Sequence, residues 1–435
     1  MRKKIMIYAA SMALGSLMML SCSSSDDEGF DEEKKLVNMV ANVIPVKLTA
    51  EQRVFVNDNN GFSLNFLKQV NETDRSGKSF IYSPLSLTYV LGMVNDAAEG
   101  QTEEELEQTL GFHEGGLHAV NDYCKKLIDG LPYVDKDVEL NIANAIFLNN
   151  KYKLKDQFQK DMQDFYDAKA EALDFKSNKT LGHINDWCKN KTKGMIPTIL
   201  DEVNPDMVMF LLNAIYFKAD WTHQFDPKQT KNETFTTEEG TTTMPMMHQN
   251  VLISYVKNDT YAGINIPYSN ESWIMTVMLP EEGKTTDDVI NYLADKGWPK
   301  DYQVDNPMSG ATTYEVDLKL PRFETSSDTN NMDGGLIEVL KKMGINRAFD
   351  SQSAQFPNMC DKPVYISLMR QKAKIKVNEE GAEAAAVTVA GMYATSAGPV
   401  EILKADFHAN RPFVYLIRES HSGAILFVGK FTGTV

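Results

Sequence analysis

The stretch Val377-Asn-Glu-Glu-Gly-Ala-Glu-Ala-Ala-Ala-Val-Thr-Val-Ala390 carries more information about the structure than any other part of this sequence. Before it, Lys372, Lys374 and Lys376 alternate with apolar residues, which is the period-two pattern of a half-buried strand. After the Glu-Glu-Gly corner, no charged side chain occurs from Ala384 to Val400. An Ala-rich helix end is the alternative interpretation, because Ala and Glu are good helix formers, but the Val-Thr-Val that follows weakens it.

The two faces of this stretch, taken as a strand, carry small or uncharged residues beyond the corner, with Glu383 as the one exception. One face would carry Ala382, Ala384, Ala386, Thr388, Ala390 and Met392, and the other Glu383, Ala385, Val387, Val389, Gly391 and Tyr393. The first face is small enough to enter a packed interior without overpacking it. The segment could therefore lie exposed as a loop and could also enter the middle of a sheet.

Other motifs follow along the chain. They are Phe80-Ile-Tyr-Ser83-Pro84-Leu85-Ser86-Leu87, Asn144-Ala-Ile-Phe147, Ile184-Asn-Asp-Trp187, Thr192-Lys-Gly-Met-Ile-Pro197, Leu212-Asn213-Ala-Ile-Tyr-Phe-Lys218 with Trp221, Leu320-Pro-Arg322-Phe323, Phe407-His-Ala-Asn-Arg-Pro-Phe413 and Ile425-Leu-Phe-Val-Gly-Lys430. In this order, and with the Glu-Glu-Gly hinge, they resemble the serpin family. The resemblance implies an α+β serpin fold with three β-sheets, eight to nine helices and an exposed reactive-centre loop near the C-terminus, here placed over residues 379–404.

The residue patterns themselves also favour α+β, because helices and strands do not alternate regularly. Helices are predicted over Ala50–Val70, Pro84–Ala98, Thr102–Leu110, Lys155–Asp167, Asn178–Lys191, Thr286–Asp295 and Gly335–Met343. Strands are predicted over Ile142–Leu148, Val208–Phe217, Trp273–Leu279, Tyr314–Leu320, Val364–Val377, Phe413–Ile417 and Ala424–Lys430. We expect Ser83 to cap a helix that starts at Pro84, and Thr102 with Glu105 to form a capping box.

The resemblance implies a serine protease inhibitor that acts once: the protease cuts the loop, the cut loop inserts into the main sheet, and the acyl-enzyme is trapped. Family spacing places the reactive bond at Thr395-Ser396, and Met392, Tyr393 and Ala394 remain alternative positions for the cut. A small residue there suits an elastase-like protease, which is favoured, whereas Tyr393 or Met392 suits a chymotrypsin- or subtilisin-like one. Papain-like cysteine proteases remain open. The 17 residues Glu379–Thr395 would extend over about 55 Å.

The resemblance also assigns roles to other positions. The loop hinge is Glu379, Glu380, Gly381, Ala382, Glu383, Ala384, Ala385 and Ala386. The positions that match the family's shutter and breach are Ser83, Ser86, Asn213, Trp221, Arg322 and Gln371. Arg322 is expected to pair with Glu379, and Gln371 stands where many serpins have a shutter histidine, so pH sensitivity from that histidine would be lost.

The N-terminus has the pattern of a signal peptide. Arg2, Lys3 and Lys4 precede an apolar stretch that ends at Cys22. It resembles a bacterial lipoprotein signal of the Bacteroidetes type, in which Cys22 would carry lipid; an ordinary secretory signal is the alternative. We expect residues 1–22 to be the signal, 23–48 a flexible tether and 49–435 a single serpin domain. The protein would then be extracytoplasmic, anchored to the bacterial outer membrane through lipid alone or secreted.

Composition argues against several function classes. A formal net charge of −16 disfavours nucleic-acid binding. The sequence has no motif of a hydrolase or zinc site, and its seven histidines share no motif. We therefore expect no enzyme, cofactor or metal, and a monomer whose partners are target serine proteases. Cys124, Cys188 and Cys360 are expected to be free and buried, and a single disulfide among them is the alternative. The alternative functions are a non-inhibitory serpin that acts as a binding or carrier module, and a surface hydrolase or adhesin.

Overall fold

The computed structural model describes residues 44–112, 116–297, 313–381 and 402–434, which belong to one unit spanning Met39–Val435. The predicted signal with Cys22, most of the tether, the hinge from Ala382 to Ala386 and the reactive bond Thr395-Ser396 with its alternatives therefore lie outside the described residues.

Eight α-helices occur in the described residues. They are α1 (Ala50–Thr73), α2 (Pro84–Ala97), α3 (Gln101–Leu110), α4 (Gly116–Gly130), α5 (Asp156–Tyr166), α6 (Thr180–Lys191), α7 (Thr286–Lys296) and α8 (Gly335–Met343). The predicted cap of α2 is confirmed, because Ser83 Oγ accepts from the backbone N–H of Ser86 and Pro84 is the first helical residue.

The predicted capping box of Thr102 and Glu105 is wrong. Helix α3 starts at Gln101, and Gly100 provides no side-chain cap. The Thr102 hydroxyl accepts instead from the backbone N–H of Gln355, and Glu105 accepts from the backbone N–H groups of Asn346 and Arg347. Both side chains therefore serve long-range contacts that a local pattern does not contain.

The strands form two hydrogen-bonded sheets. They are β1 (Phe80–Tyr82), β2 (Glu139–Asn149), β3 (Lys169–Leu173), β4 (Met209–Lys218), β5 (Lys231–Thr237), β6 (Gly240–Lys257), β7 (Tyr261–Tyr268), β8 (Trp273–Pro280), β9 (Thr313–Pro321), β10 (Phe323–Asp328), β11 (Leu368–Val377), β12 (Leu403–His408), β13 (Phe413–Glu419) and β14 (Ile425–Phe431). The five-stranded main sheet has the order β10-β11-β4-β2-β3, and the nine-stranded sheet the order β1-β14-β13-β8-β7-β6-β9-β12 with β5 on β6.

The predicted α+β class is confirmed, and the expected third sheet is continuous with the second in the described residues. The 18-residue strand β6 pairs first with β5, then with β9 over Met246–Ser254, and last with β7 over Ser254–Lys257. Strand β6 thus joins the expected second and third sheets into the single nine-stranded sheet.

Two apolar clusters lie on the two faces of the main sheet. On β4, Leu211, Ile215 and Phe217 face the larger core, whereas Phe210, Leu212 and Ala214 face a smaller cluster that includes Ile184 and Trp187 of α6. This explains why β4 is almost continuously apolar, as a strand covered on both faces should be. The three cysteines Cys124, Cys188 and Cys360 are free and buried, as predicted.

Several elements were missed in the sequence. Strand β5 is mostly polar and β6 contains Pro245, whereas β3 does alternate polar and apolar residues but is only five residues long. Strand β12 begins at Leu403, so the loop predicted over 379–404 overlaps its first two residues. In the part of the chain that the structure describes, no helix is both long enough and apolar enough to cross a membrane.

Candidate functional site

The site lies where β11 and β4 run side by side in the main sheet. The two strands pair in parallel from Leu368↔Phe210 to Ala373↔Ile215, and the ladder ends there, before either strand ends. All other neighbours of these two strands in the sheet are antiparallel. Because the two strands are parallel, a strand placed between them can be antiparallel to both.

A tight turn reverses the chain directly after β11. Asn378 and Gly381 exchange backbone hydrogen bonds of 3.1 and 3.3 Å. The Asn378 side chain also accepts from the N–H groups of Glu380 (3.2 Å) and Gly381 (3.1 Å), which is the local bond that makes Asn common in turns. Gly381 is thus paired in the antiparallel sense with Asn378, the residue that follows β11.

Gly381 touches the end of β4 at the same time. It forms an antiparallel bridge with Asp220, and the N–H of Trp221 donates to the carbonyl of Glu380 at 2.9 Å. Its φ of +126° lies in the region that favours glycine, and an added Cβ would come within 2.4 Å of the Ala219 carbonyl oxygen. Only glycine fits this close approach of two backbones.

Glu379 is anchored beside the turn. Arg322 donates from Nε to Glu379 Oε2 at 3.0 Å and from Nη2 to Oε1, and the Thr230 hydroxyl donates to Oε1 at 2.5 Å. The expected Arg322–Glu379 pair is therefore formed. Burial raises the pKa of the Glu379 carboxyl, but the hydrogen bonds from Arg322 and Thr230 outweigh burial and hold that pKa below its usual value of 4.5.

Trp221 holds the other side of the turn. Its indole Nε1 donates to the carbonyl of Asn378 at 2.9 Å, and its ring stacks on Tyr268 with centroids 4.2 Å apart. The side chain is buried. Because an indole N–H needs an acceptor when buried, Trp221 fixes the turn as well as packing beneath it.

A buried polar row crosses the main sheet below the turn. Gln371, Asn213 and Asn144 are direct partners in β11, β4 and β2. Gln371 Nε2 donates to Asn213 Oδ1 at 2.7 Å, and Asn213 Nδ2 donates to Asn144 Oδ1 at 2.6 Å and to Ser86 Oγ on α2. The three strands are thus joined through side chains as well as through their backbones.

Gln371 also ties the sheet to the start of α2. Its Oε1 accepts from the N–H of Ser83 at 2.8 Å, and its Nε2 donates to the Ser83 carbonyl at 2.9 Å. The Ser83 hydroxyl donates in turn to the carbonyl of Leu426. An uncharged amide satisfies all these partners, so this position has no group that titrates near neutral pH.

The structure brings the predicted residues together in two groups. Glu379, Glu380, Gly381, Trp221 and Arg322 surround the turn, and Ser83, Ser86, Asn213 and Gln371 form the polar row. Sequence reasoning missed Thr230, Asn378, Tyr268 and Asn144. Of these four, two stand in sequence motifs that could have pointed to them. Asn144 belongs to the quoted Asn-Ala-Ile-Phe motif, and Asn378 precedes the Glu-Glu-Gly corner.

Comparisons with known proteins agree with this architecture. The model of the Serpin (serine protease inhibitor) family matches residues 57–433. The chain is 30% identical over 390 residues to "Serpin B6" of Macaca fascicularis, which covers 87% of this chain and 99% of that protein. Among solved structures, the thermophilic serpin tengpin in its native state superposes with a TM-score of 0.75 at 25% identity, over 89% of this chain and 96% of tengpin.

Human thyroxine-binding globulin, solved in complex with thyroxine, is similar to a comparable degree. Its TM-score is 0.73 at 25% identity, and the match covers 88% of this chain and 98% of that one. The set of similar proteins therefore includes one that binds a small molecule.

Proposed function

This chain belongs to the serpin family, and from that premise we propose that it inhibits serine proteases irreversibly, by accepting its own cut loop as a new strand between β11 and β4. The observation that carries the proposal is the central parallel pair of the main sheet, together with the turn that already points the chain back along it.

The register of the main sheet suits such an insertion. Continuing the Asn378–Gly381 pairing one residue at a time would put Thr388 opposite Gln371 of β11. Continuing the Asp220↔Gly381 bridge would put the same Thr388 opposite Asn213 of β4. Gln371 and Asn213 are already partners, so β11 and β4 would need only to move apart, with no slip along their length.

The inner face of the inserted strand would suit its surroundings. In this register Ala382, Ala384 and Ala386 would lie among Val377, Ile375 and Ala373, which face the larger core. The one hydroxyl on that face, Thr388, would enter the buried polar row. Small side chains avoid overpacking, and the hydroxyl would find hydrogen-bond partners.

The outer face would be matched as well. Glu383 would lie between Lys376 and Lys218, so that a carboxylate would separate two ammonium groups. Val387 and Val389 would lie beside Ala214 and Leu212, in the apolar cluster beneath α6. Glu383 would thus be paired with lysines of opposite charge, and the two valines would pack against the apolar cluster beneath α6.

The length of β4, beside which the loop would insert, limits the position of the cut. In the same register Met392 would stand beside Met209, the first residue of β4. If the cut followed Met392, the inserted strand would end level with the first residue of β4. If it followed Thr395, three more residues would extend beyond that end of β4. We favour Thr395-Ser396, with Met392, Tyr393 and Ala394 as alternatives, and an elastase-like target for a small residue at the cut.

Insertion would replace one parallel ladder by two antiparallel ladders, which are somewhat more stable per residue. Ordering each loop residue costs about 1–2 kcal/mol, and each new hydrogen bond contributes about 0.5–1.5 kcal/mol. Since these nearly offset, the uncut fold would be preserved by kinetics rather than by equilibrium stability. We further propose that Cys22 carries a lipid that keeps the inhibitor, a monomer, at the outer membrane of a bacterium.

The experiment that tests this function mixes the chain from residue 23 onward with an elastase-type protease and analyses the products on a denaturing gel. We expect a covalent complex that survives denaturant and a new N-terminus at Ser396. A protease whose active-site serine is blocked is the control and should give no complex. Complete cleavage without a complex for elastase-, chymotrypsin- and subtilisin-type proteases would refute inhibition.

The similarity to thyroxine-binding globulin supports one alternative, a non-inhibitory binding or carrier module. Carriers need no loop insertion. A chain that is cut at the loop, forms no complex and gains no thermal stability would favour that alternative.

A further inference from the structure

A second cluster lies on the nine-stranded sheet, away from the turn. Asp317 is on β9, and Asp406 and His408 are on the edge strand β12. One ligand atom from each of the three side chains lies within 4.8 Å of the others. Asp406 and His408 are two residues apart on one strand, so they share a face, and Asp317 is the direct partner of Asp406 across the ladder.

The two carboxylates face each other without a compensating lysine. Directly opposed like charges destabilise a ladder. The two lysines of the same face are engaged elsewhere: Lys404 pairs with Glu315 at 2.9 Å, and Lys319 pairs with Glu233 at 3.1 Å. Within the described part of the chain, the Asp406 carboxylate forms no hydrogen bond or ion pair, although the Asp406 backbone belongs to the ladder with β9. Apart from His408, which contacts Asp317, no cationic side chain among the described residues lies within ion-pair distance of either carboxylate.

The spacing of the donors fits a metal ion. His408 Nε2 and Asp317 Oδ2 are joined by a hydrogen bond of 3.1 Å, so these two ligand atoms already lie close together. Two ligands about 2.1 Å from one ion, at roughly a right angle or a little more, are also about 3.0–3.4 Å apart. Asp406 is exposed, so its carboxylate can turn toward the same point. One imidazole with two carboxylates is a donor set that transition metals bind and that leaves positions for water.

We propose that Asp317, Asp406 and His408 bind a divalent transition metal ion, of which Zn²⁺ is the best fit. The ion would neutralise the opposed carboxylates and join β12 to β9. Because β12 is an edge strand that begins at Leu403, just after the residues that carry the reactive bond, the ion would fix the point at which the C-terminal end of that loop is attached.

The test is a titration of the full chain with ZnCl₂ by calorimetry, with thermal unfolding measured in parallel. We expect about one ion per chain and a raised melting temperature. Co²⁺ in place of Zn²⁺ should give visible absorption bands of a bound ion. Removing one ligand should weaken binding by at least about tenfold, since even the partners behind metal ligands contribute 10–100-fold.

The variants are Asp406→Asn and His408→Gln, both at positions that water reaches. The matched control is His118→Gln, which changes an exposed histidine of α4. Loss of binding in the first two variants, with unchanged binding in the control, would support the site. Absence of Zn²⁺ binding, or equal binding in all three variants, would overturn it. This outcome is independent of protease inhibition, which the gel assay measures separately.

Discussion

At the scale of single residues, Glu379 is the group whose chemistry is most clearly set by its surroundings. Its carboxyl is buried and accepts hydrogen bonds from Arg322 and Thr230, and these lower its pKa. A lowered pKa in the folded state means that the ionised form stabilises the fold. That contribution is complete above about pH 4.5 and is lost as the pH falls through the lowered value.

The first prediction concerns Arg322→Gln. The change leaves a buried carboxylate without its guanidinium, so the free energy of unfolding should fall by about 1–3 kcal/mol at pH 7. The difference from the unchanged chain should shrink below pH 4.5, where protonated Glu379 no longer needs Arg322. Urea unfolding at several pH values measures this. A difference that stays constant with pH would contradict the assigned pair.

The second prediction concerns Gly381→Ala. A Cβ at this position meets backbone atoms of Ala219 and Asp220 and is strained at a φ of +126°. We expect the variant to lose about 1–3 kcal/mol in its free energy of unfolding. The control is Gly182→Ala on α6, where an added Cβ meets nothing within 4 Å. Equal stability of the two variants would contradict the close approach.

How far the sequence predicts such residues depends on how local their partners are. Ser83 was predicted as a cap because its partner is three residues away. Thr102 and Glu105 were predicted wrongly because their partners lie near residues 346–355. Thr230 gives no signal, since its bond to Glu379 joins positions 149 residues apart. Local spacing identifies caps and turns, and distant contacts need the fold.

At the scale of secondary-structure elements, β11 and β4 are held together by the buried row of Gln371, Asn213 and Asn144. Separation of the two strands must break the bond between Gln371 Nε2 and Asn213 Oδ1. Since an amide does not titrate, the strength of this contact should not change between pH 5 and 8.

The third prediction tests this with Gln371→His. Burial disfavours the imidazolium, so the histidine should be neutral in the fold and charged below about pH 6.5 in the unfolded chain. The variant should therefore lose stability relative to the unchanged chain as the pH falls from 8 to 5.5. Melting temperatures across this range measure it. Parallel curves for the two proteins would show that the position is not buried as described.

The fourth prediction uses two neighbouring alanines with opposite directions in the proposed strand. Ala386→Glu would place a charge in the larger core beside Ala373 and Ile215, whereas Ala385→Glu would place it on the outer face beside Lys374. We expect Ala386→Glu to convert the inhibitor into a substrate and Ala385→Glu to remain an inhibitor. The number of inhibitor molecules consumed per protease measures this, and equal values for both would contradict the proposed register.

Elements with strong periodicity were predicted within a few residues, as α8 and β8 illustrate. The polar strand β5 was missed because its sequence resembles a loop, and β3 was missed because its alternation spans only five residues. Helix α4 was also missed, although it buries Val120, Tyr123 and Leu127, because glycines stand at both of its ends. For strands such as β3 and β5, the neighbouring strands decide whether a segment is a strand, rather than its intrinsic preference.

At the scale of the whole molecule, the main sheet is complete without the loop and yet has a register that would accept it. The sequence predicted the small-residue hinge, but it could not show that β11 and β4 are parallel partners or that Gln371 lies opposite Asn213. Those facts follow from how distant segments pair. They support loop insertion by the geometry of the main sheet, independently of the resemblance to a family.

The most direct measurement is the melting temperature of the chain from residue 23 before and after a single cut between Met392 and Ser396. Our account predicts a rise of more than about 10 °C, several kcal/mol in stability, because the freed loop completes the main sheet. An unchanged or lower melting temperature after the cut would contradict loop insertion.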